Sequence, residues 1–406
     1  MKSAIKSMLA GLAVLVAISG FARSYSLTEI LRNTALHNGL RPAAQLFDDT
    51  DAALAAVGKQ FFESKNVSLN GRMACRTCHL DQFGSADGLP NAIGIFGEGE
   101  GPKRALSEGR IVPRNTLPLW GRGALGFNTF FWDGKVDFSD GKKISQFGAA
   151  APSDDALVTT VHLPPVEIRE MLNDDAVVSR YMRESPEKAA ELYTQITKHL
   201  LKTERMPMEE LARRVNKPTN GVTFHDVARS IAAFIRSAFR LKDTKFQKFV
   251  FGNATLTPDE LKGGLIFYGK GKCVNCHNGP YFSDLKFHAV PFPQLGFGKN
   301  GFGVDYGRFN VTFQGEDLYR FRTPPLFNVH KTAPYGHPRS IANLRDAIGA
   351  HFDPLRNIDL KSMDNLARHE FFKRMAAVGG TFKMLGVLNE REVAQVESFL
   401  KSLSFE

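Results

Sequence analysis

The sequence predicts a mainly α-helical chain in two halves, each a helix that runs into a C-x-x-C-H pentapeptide. Three observations predict it. Cys75-Arg76-Thr77-Cys78-His79 and Cys273-Val274-Asn275-Cys276-His277 share the pattern, 198 positions apart (273 − 75), and together use all four cysteines. Helical signals precede both pentapeptides. A length of 406 residues allows two or three domains.

Residues 1–24 read as a secretory signal peptide. Lys2 and Lys6 make its positive start, Met8 to Ile18 its apolar core, and Gly20, Ala22 and Ser24 offer small residues for cleavage. A membrane anchor is the alternative, but the apolar run is shorter than the roughly 20 residues a span needs. No later segment approaches that length, so no membrane span is expected after cleavage. Residues 25–56 are helix-like around a loop at Gly39-Leu40-Arg41-Pro42, and 53–63 form a helix into the first pentapeptide. Residues 84–109 are a Gly-rich loop with little periodicity, and 185–215 are charged and helical in period. Residues 224–239 form an amphipathic helix, with Val227, Ile231, Ala232, Phe234 and Ile235 on one side. Thr257 as N-cap, Pro258 at the first helical position and Asp259 and Glu260 in the first turn start the helix before the second pentapeptide. The last helix, 389–403, turns Val393, Val396, Phe399 and Leu400 inward. The expected division is one domain over 25–250 and another over 251–406.

C-x-x-C-H is the attachment signature of a c-type haem. Two thiols three residues apart add to the two vinyl groups of one porphyrin, and the adjacent His falls beneath the iron. A zinc site of four thiolates, or two disulfides, leaves both histidines unexplained. Two covalently bound haems c are therefore expected, one on Cys75, Cys78 and His79 and one on Cys273, Cys276 and His277. Maturation of such cytochromes places the chain in the periplasm, in agreement with its cysteine usage. The formal charge is +10. Lys2 and Lys6 leave with the signal and haem propionates offset more, so nucleic acid is not the expected partner. A docking surface for an acidic redox protein and plain solvated basicity both remain.

The chain resembles the bacterial dihaem cytochrome c peroxidases and their MauG-like relatives over nearly all of its mature length. The first half carries the resemblance in Cys75 to His79, Arg114-Asn115-Thr116 and Phe131-Trp132-Asp133-Gly134. The second carries it in Gly269-Lys270-Gly271-Lys272, Asn278-Gly279-Pro280, Phe321-Arg322-Thr323-Pro324 and Thr332-Ala333-Pro334-Tyr335. The resemblance implies two cytochrome c-type haem domains facing each other across a cleft. The first haem reacts with peroxide and the second relays electrons.

The resemblance also assigns roles. Some members close the first iron with a His sixteen residues past the proximal one; here 79 + 16 is Ile95. The first haem is thus expected to be open, as in MauG. A distal Glu moves the peroxide proton. Pro164 and the Glu170-Met171 pair match its pattern, with Glu167 the competing alignment, and either could simply cap a surface loop. The Gln often found ten residues earlier is Thr160, and His162 is a conceivable substitute. The sixth ligand of the second haem falls at 332 + 19, His351, where peroxidases have Met and MauG has Tyr; Met363, Met375 and Met384 are the alternatives. Trp132 is expected between the haems, and a calcium ion on Asn115, Thr332 and Pro334 between the domains. The expected activity is reduction of hydrogen peroxide with electrons from a small donor such as a monohaem cytochrome c or cupredoxin. MauG-like oxidation of a partner protein is the close alternative, although position 271, where MauG has a surface Trp, is Gly. A dihaem electron carrier without peroxide chemistry is the third.

Overall fold

A computed structural model describes residues 25–173, 186–294, 296–356, 358–382 and 385–405. The signal-peptide expectation at 1–24 and Met384 lie outside them. The helices of seven residues or more among the described residues are α1 Leu27–His37, α2 Ala52–Glu63, α3 Ala156–His162, α4 Pro186–Thr203, α5 Arg205–Arg214, α6 Phe224–Ala238, α7 Lys245–Phe251, α8 Pro258–Tyr268, α9 Leu344–Ala350, α10 Asn365–Phe382 and α11 Glu390–Lys401. No helix among the described residues is long and apolar enough to cross a membrane.

Local chemistry explains where the expected helices begin. The Asp51 carboxylate accepts from Ala53 and Leu54 N at the head of α2. Thr257 and Glu260 form a capping box on α8, and Asn389 and Glu392 another on α11. The expected helical stretch at 185–215 divides at Glu204, which leaves the helical region (φ −124°, ψ 48°) while its carboxylate accepts from Ser64 and from Asn66 Nδ2 at 2.8 Å. Helices α3, α7 and α10 were not legible as such; α3 and α7 are seven residues each, too short for a clear period.

The two halves share one packing device. Helix α2 crosses α6, and α8 crosses α11, each at a glycine. A Cβ on Gly58 would stand 1.8 Å from the Ser230 carbonyl oxygen, and one on Gly263 would stand 1.9 Å from that of Gln395. Only glycine lets the backbones approach this far. The helix before each pentapeptide is thereby pressed against a late amphipathic helix, whose buried faces are Val227, Ile231, Ala232 and Ile235 in α6 and Val393, Val396, Phe399 and Leu400 in α11. Helix α1 belongs to residues 25–250 in sequence, yet it packs on α7 and α8, with Leu31 against Gly264.

Strands are two-residue stubs that pin the loops. β1 Ala92–Ile93 pairs with β2 Ile111–Val112. β3 Thr129–Phe130, β4 Val136–Asp137 and β5 Ile144–Ser145 make an antiparallel set of three. β6 Phe287–His288 pairs with β9 Phe321–Arg322, and β7 Phe297–Gly298 with β8 Gly301–Phe302. The β3–β4 turn is tied to β9 by Arg322 N to Trp132 O (2.8 Å) and Arg322 Nε to Phe131 O (3.0 Å). Buried ion pairs add to this seam. Arg114 holds Asp305 (2.8 Å) and Asp133 (2.7 Å), Lys299 also holds Asp133 (3.1 Å), and Arg308 holds Asp137 (2.8 Å). Such pairs specify register more than they stabilise, yet losing one partner costs about 3–5 kcal/mol.

Candidate functional site

Two cavities lie on either side of that seam. The first, about 1000 Å³, is lined by Cys75, Cys78 and His79; the second, narrower, by Cys273, Cys276 and His277. The two thiol pairs therefore face different spaces, which excludes a four-thiolate zinc centre, and all four cysteines are free. Burial pushes the Cys75 and Cys273 thiols up to about 12, and Cys78 higher still. Thiols this reluctant to ionise are poor nucleophiles and poor metal ligands at neutral pH; thioether formation removes the issue.

The histidines are set as iron ligands. Cys75–Cys78 is one helical turn, and His79 N donates to Cys75 O at 3.1 Å, which carries the ring to the cavity. His79 Nδ1 donates to Ser85 O (2.9 Å) and His277 Nδ1 to Phe282 O (2.9 Å). Each bond fixes the tautomer that leaves Nε2 free. Burial lowers both pKa values, His277 to about 4, so both rings are neutral. In the second cavity His351, at the end of α9, donates Nδ1–H to Ala347 O (2.7 Å) and is likewise kept neutral by burial. Met363 and Met375 are not in that lining. Among the described residues, the first cavity has no His but His79 and no Met. Ile95 is fully buried, outside the lining.

Two buried guanidiniums, each with one unsatisfied nitrogen, test whether a haem fits. Arg122 in the first cavity and Arg322 in the second are buried, and both guanidiniums stack on Phe127. Burial lowers the pKa of each, and Arg322 lowers that of Arg122 further. Among the described residues, Arg122 Nη1 and Arg322 Nη2 have no hydrogen-bond partner. A buried N–H donor without an acceptor is costly, and a propionate carboxylate at each cavity would satisfy these two. The residues fit two haems c.

Glu167 and Glu170 both line the first cavity because 167–172 is a tight loop. Met171 N and Leu172 N both donate to Glu167 O at 3.2 Å, and Arg169 takes a positive φ of 70°. The loop rests on Gly94, where a Cβ would stand 1.7 Å from Arg169 O, and Ile95 N donates to that same oxygen at 3.0 Å. The two acids differ in environment. Glu167 pairs with Lys135 Nζ at 3.3 Å. Glu170 is raised to about 7 by burial; Lys135 opposes this and Glu167 adds to it. Burial works against the Lys135 charge too, but Glu167, Glu170 and Asp133 outweigh it and hold the ammonium. Lys135 went unnoticed in the sequence, although it follows Gly134 of a motif already singled out.

Other expected residues fall elsewhere. Thr160 is in the first cavity wall, but its hydroxyl donates to Ala156 O of its own helix. His162 is neither a surface residue nor a distal substitute. It is buried behind the wall, Nδ1 on Val158 O, among the rings of Tyr193, Phe224 and His225. Trp132 is the one described residue that lines both cysteine-bearing cavities, and its Nε1 donates to Asn115 Oδ1 at 3.0 Å. Asn115, Thr332 and Pro334 line one small cavity beneath it.

The family model for di-haem cytochrome c peroxidase matches residues 52–255. The chain is 26% identical to cytochrome c551 peroxidase of Pseudomonas aeruginosa over 299 residues, covering 72% of this chain and 69% of that protein. It is 26% identical to the methylamine utilization protein MauG of Paracoccus denitrificans over 322 residues, 73% and 74% of the two chains. In fold it resembles the diheme peroxidase BthA from Burkholderia thailandensis, with a TM-score of 0.63 at 18% identity over 90% of this chain and 89% of that one. The residues matched by that family model make up half of the chain and include the first pentapeptide, Trp132 and the loop of Glu167 and Glu170: the chain belongs to the di-haem cytochrome c peroxidase family.

Proposed function

We propose that the protein is a periplasmic peroxidase in which residues 25–250 carry the peroxide-reacting haem and 251–406 the electron-relaying one. One observation carries the reading. Glu170, titrating near neutral pH, lines a cavity with Cys75, Cys78 and His79 and with no second imidazole or thioether among the described residues. A haem held by Cys75, Cys78 and His79 would supply an iron at which hydrogen peroxide could bind. Glu170 takes the proton from the near oxygen and returns it to the far one, which leaves as water. A carboxyl balanced near pH 7 can do both. Glu167 is paired with Lys135 at 3.3 Å, whereas Glu170 carries the raised pKa, so Glu170 is the acid assigned to move the proton. Trp132 relays electrons between the cavities. His277 and His351 would both be available to hold the iron of the second haem, and two imidazoles would lower its potential relative to a His/Met pair. The donor is a small periplasmic redox protein, a monohaem cytochrome c or a cupredoxin.

A calcium ion between the halves is part of this proposal. The carbonyl oxygens of Thr332 and Pro334 accept no hydrogen bond among the described residues, and Asn115 adds a side-chain oxygen. Hard oxygens plus water suit calcium.

His351 favours a second reading, MauG-like oxidation of a partner protein by peroxide, because an open first site beside a closed, Met-free second needs no reductive activation. Electron paramagnetic resonance of the oxidised holoprotein tests both. One high-spin and one low-spin ferric signal are expected, with peroxide consumed by the fully oxidised enzyme. Two low-spin signals would mean that another ligand closes the first site. Steady-state turnover with a reduced cytochrome, against chemical change in a partner protein, then separates the two enzymes.

A further inference from the structure

We propose that Tyr319 is a redox-active tyrosine, which releases an electron toward Trp132 and its phenolic proton to Glu370. The inference rests on the peroxide reading above. What singles Tyr319 out is the acceptor of its hydroxyl. Tyr193, Tyr281 and Tyr335 donate to the carbonyls of His162, Leu125 and Val329, which cannot take a proton. Tyr319 donates to Glu370 Oε2 at 3.0 Å, and both residues are buried. Burial disfavours the Glu370 charge, but Lys373 at 2.8 Å and the Tyr319 hydroxyl hold the group as carboxylate. A one-electron-oxidised phenol is a strong acid, so a carboxylate already bonded to it accepts the proton without rearrangement.

Aromatic and cationic contacts connect this pair to the interface of the two cavities. The Trp132 and His337 ring centroids are 6.4 Å apart, and His337 stacks on Phe321 at 3.5 Å. Tyr319 is two residues before Phe321. Arg374 lies 5.3 Å from the Tyr319 ring, and its charge adds to the burial that lowers the pKa of His337. On the far side Tyr306, half-buried, is 6.0 Å from Tyr319, and Phe309 and the exposed Phe313 continue outward at 6.1 and 6.0 Å.

The step balances within the chain. Hydrogen peroxide is a two-electron oxidant; when the donor is scarce, its oxidising equivalents stay in the protein. Trp132 fills the deficit on the haem side with one electron and recovers it from Tyr319. The Tyr319 O–H bond breaks, a Glu370 O–H bond forms, and a neutral tyrosyl radical remains. Tyr306 is the next donor on the way to solvent. The route drains oxidising power away from the haem cavities toward the surface.

The test uses holoprotein carrying ring-deuterated tyrosine, mixed with hydrogen peroxide without donor, frozen within the reaction and read by electron paramagnetic resonance. Peroxide consumption is followed separately. The expected result is an organic radical whose hyperfine structure collapses on tyrosine deuteration and which is lost in Tyr319→Phe, with peroxide consumption unchanged. Glu370→Gln keeps an acceptor but no base and should lower the radical yield with the phenol intact, which also covers the case of a poorly folded Tyr319→Phe. A radical insensitive to tyrosine deuteration, or one of equal yield in both variants, overturns the proposal alone. Absence of peroxide consumption in the parent protein overturns the peroxide reading and this proposal with it.

Discussion

Replacing Glu170 with Gln preserves the size and one hydrogen-bonding oxygen of the side chain but removes the proton acceptor. The acid needs to be ionised to take the first proton, and its pKa is raised by burial to about 7. The carboxylate is therefore the active form above that value, and reactivity falls as pH drops through it. At pH 7 about half of the molecules are ionised and at pH 5 about 1%, so the bimolecular rate with peroxide should drop about 50-fold across that interval. Glu170→Gln should lower the plateau by about 10²–10⁴, the usual share of general acid–base catalysis, and flatten the limb. Stopped-flow mixing of oxidised holoprotein with peroxide, followed in the haem absorption band from pH 5 to 9, measures both quantities. If Glu170→Gln retains the limb, or if Glu167→Gln is the variant that loses it, the assignment of the two carboxyls is reversed and the argument from burial fails.

The remaining expectations follow from neighbouring contacts. Lys135→Met removes the cation that lowers the Glu170 pKa, so the limb should move to higher pH in the same experiment, whereas a limb displaced to lower pH would contradict the arrangement. His351→Ala should convert the low-spin ferric signal of the second haem to high-spin and leave the first unchanged; an unaltered low-spin signal points to another ligand. Gly94→Ala forces a methyl against Arg169 O and should cost about 1–3 kcal/mol or more in denaturant unfolding, with slowed peroxide reaction because the Glu170 loop must move. Calcium added to chelator-treated protein should raise its thermal midpoint, an increment that Asn115→Ala reduces; equal gains in both proteins would remove Asn115 from the site.

The features legible in the sequence are those written into a few consecutive residues. The pentapeptides are one, because the reach between two thiols and one imidazole is decided within five positions. Helix starts are another: Thr257 with Glu260, and Asn389 with Glu392, cap through bonds three residues apart. Periodicity located α6 and α11 for the same reason, since a buried stripe repeats along one helix. The candidate ligand His351 and the acids Glu167 and Glu170 were reachable only through family spacing. Nothing local distinguishes the two acids or predicts that His162 is buried behind the wall they line.

Tertiary structure decided everything that depends on what stands opposite. Glu170 is raised to about 7 because the fold buries it, while Lys135, thirty-five positions earlier (170 − 135), opposes the shift and Glu167 adds to it. Arg122 and Arg322 meet over Phe127 from different halves, and Tyr319, in a turn, finds Glu370 on α10. Trp132 reaches both cavities only because Arg322 ties its turn to β9. Burial and charge act through space over a few ångströms. Their effects therefore belong to contacts between distant segments, which a linear sequence does not display, whereas covalent reach and helical period act along the chain and can be read directly from it.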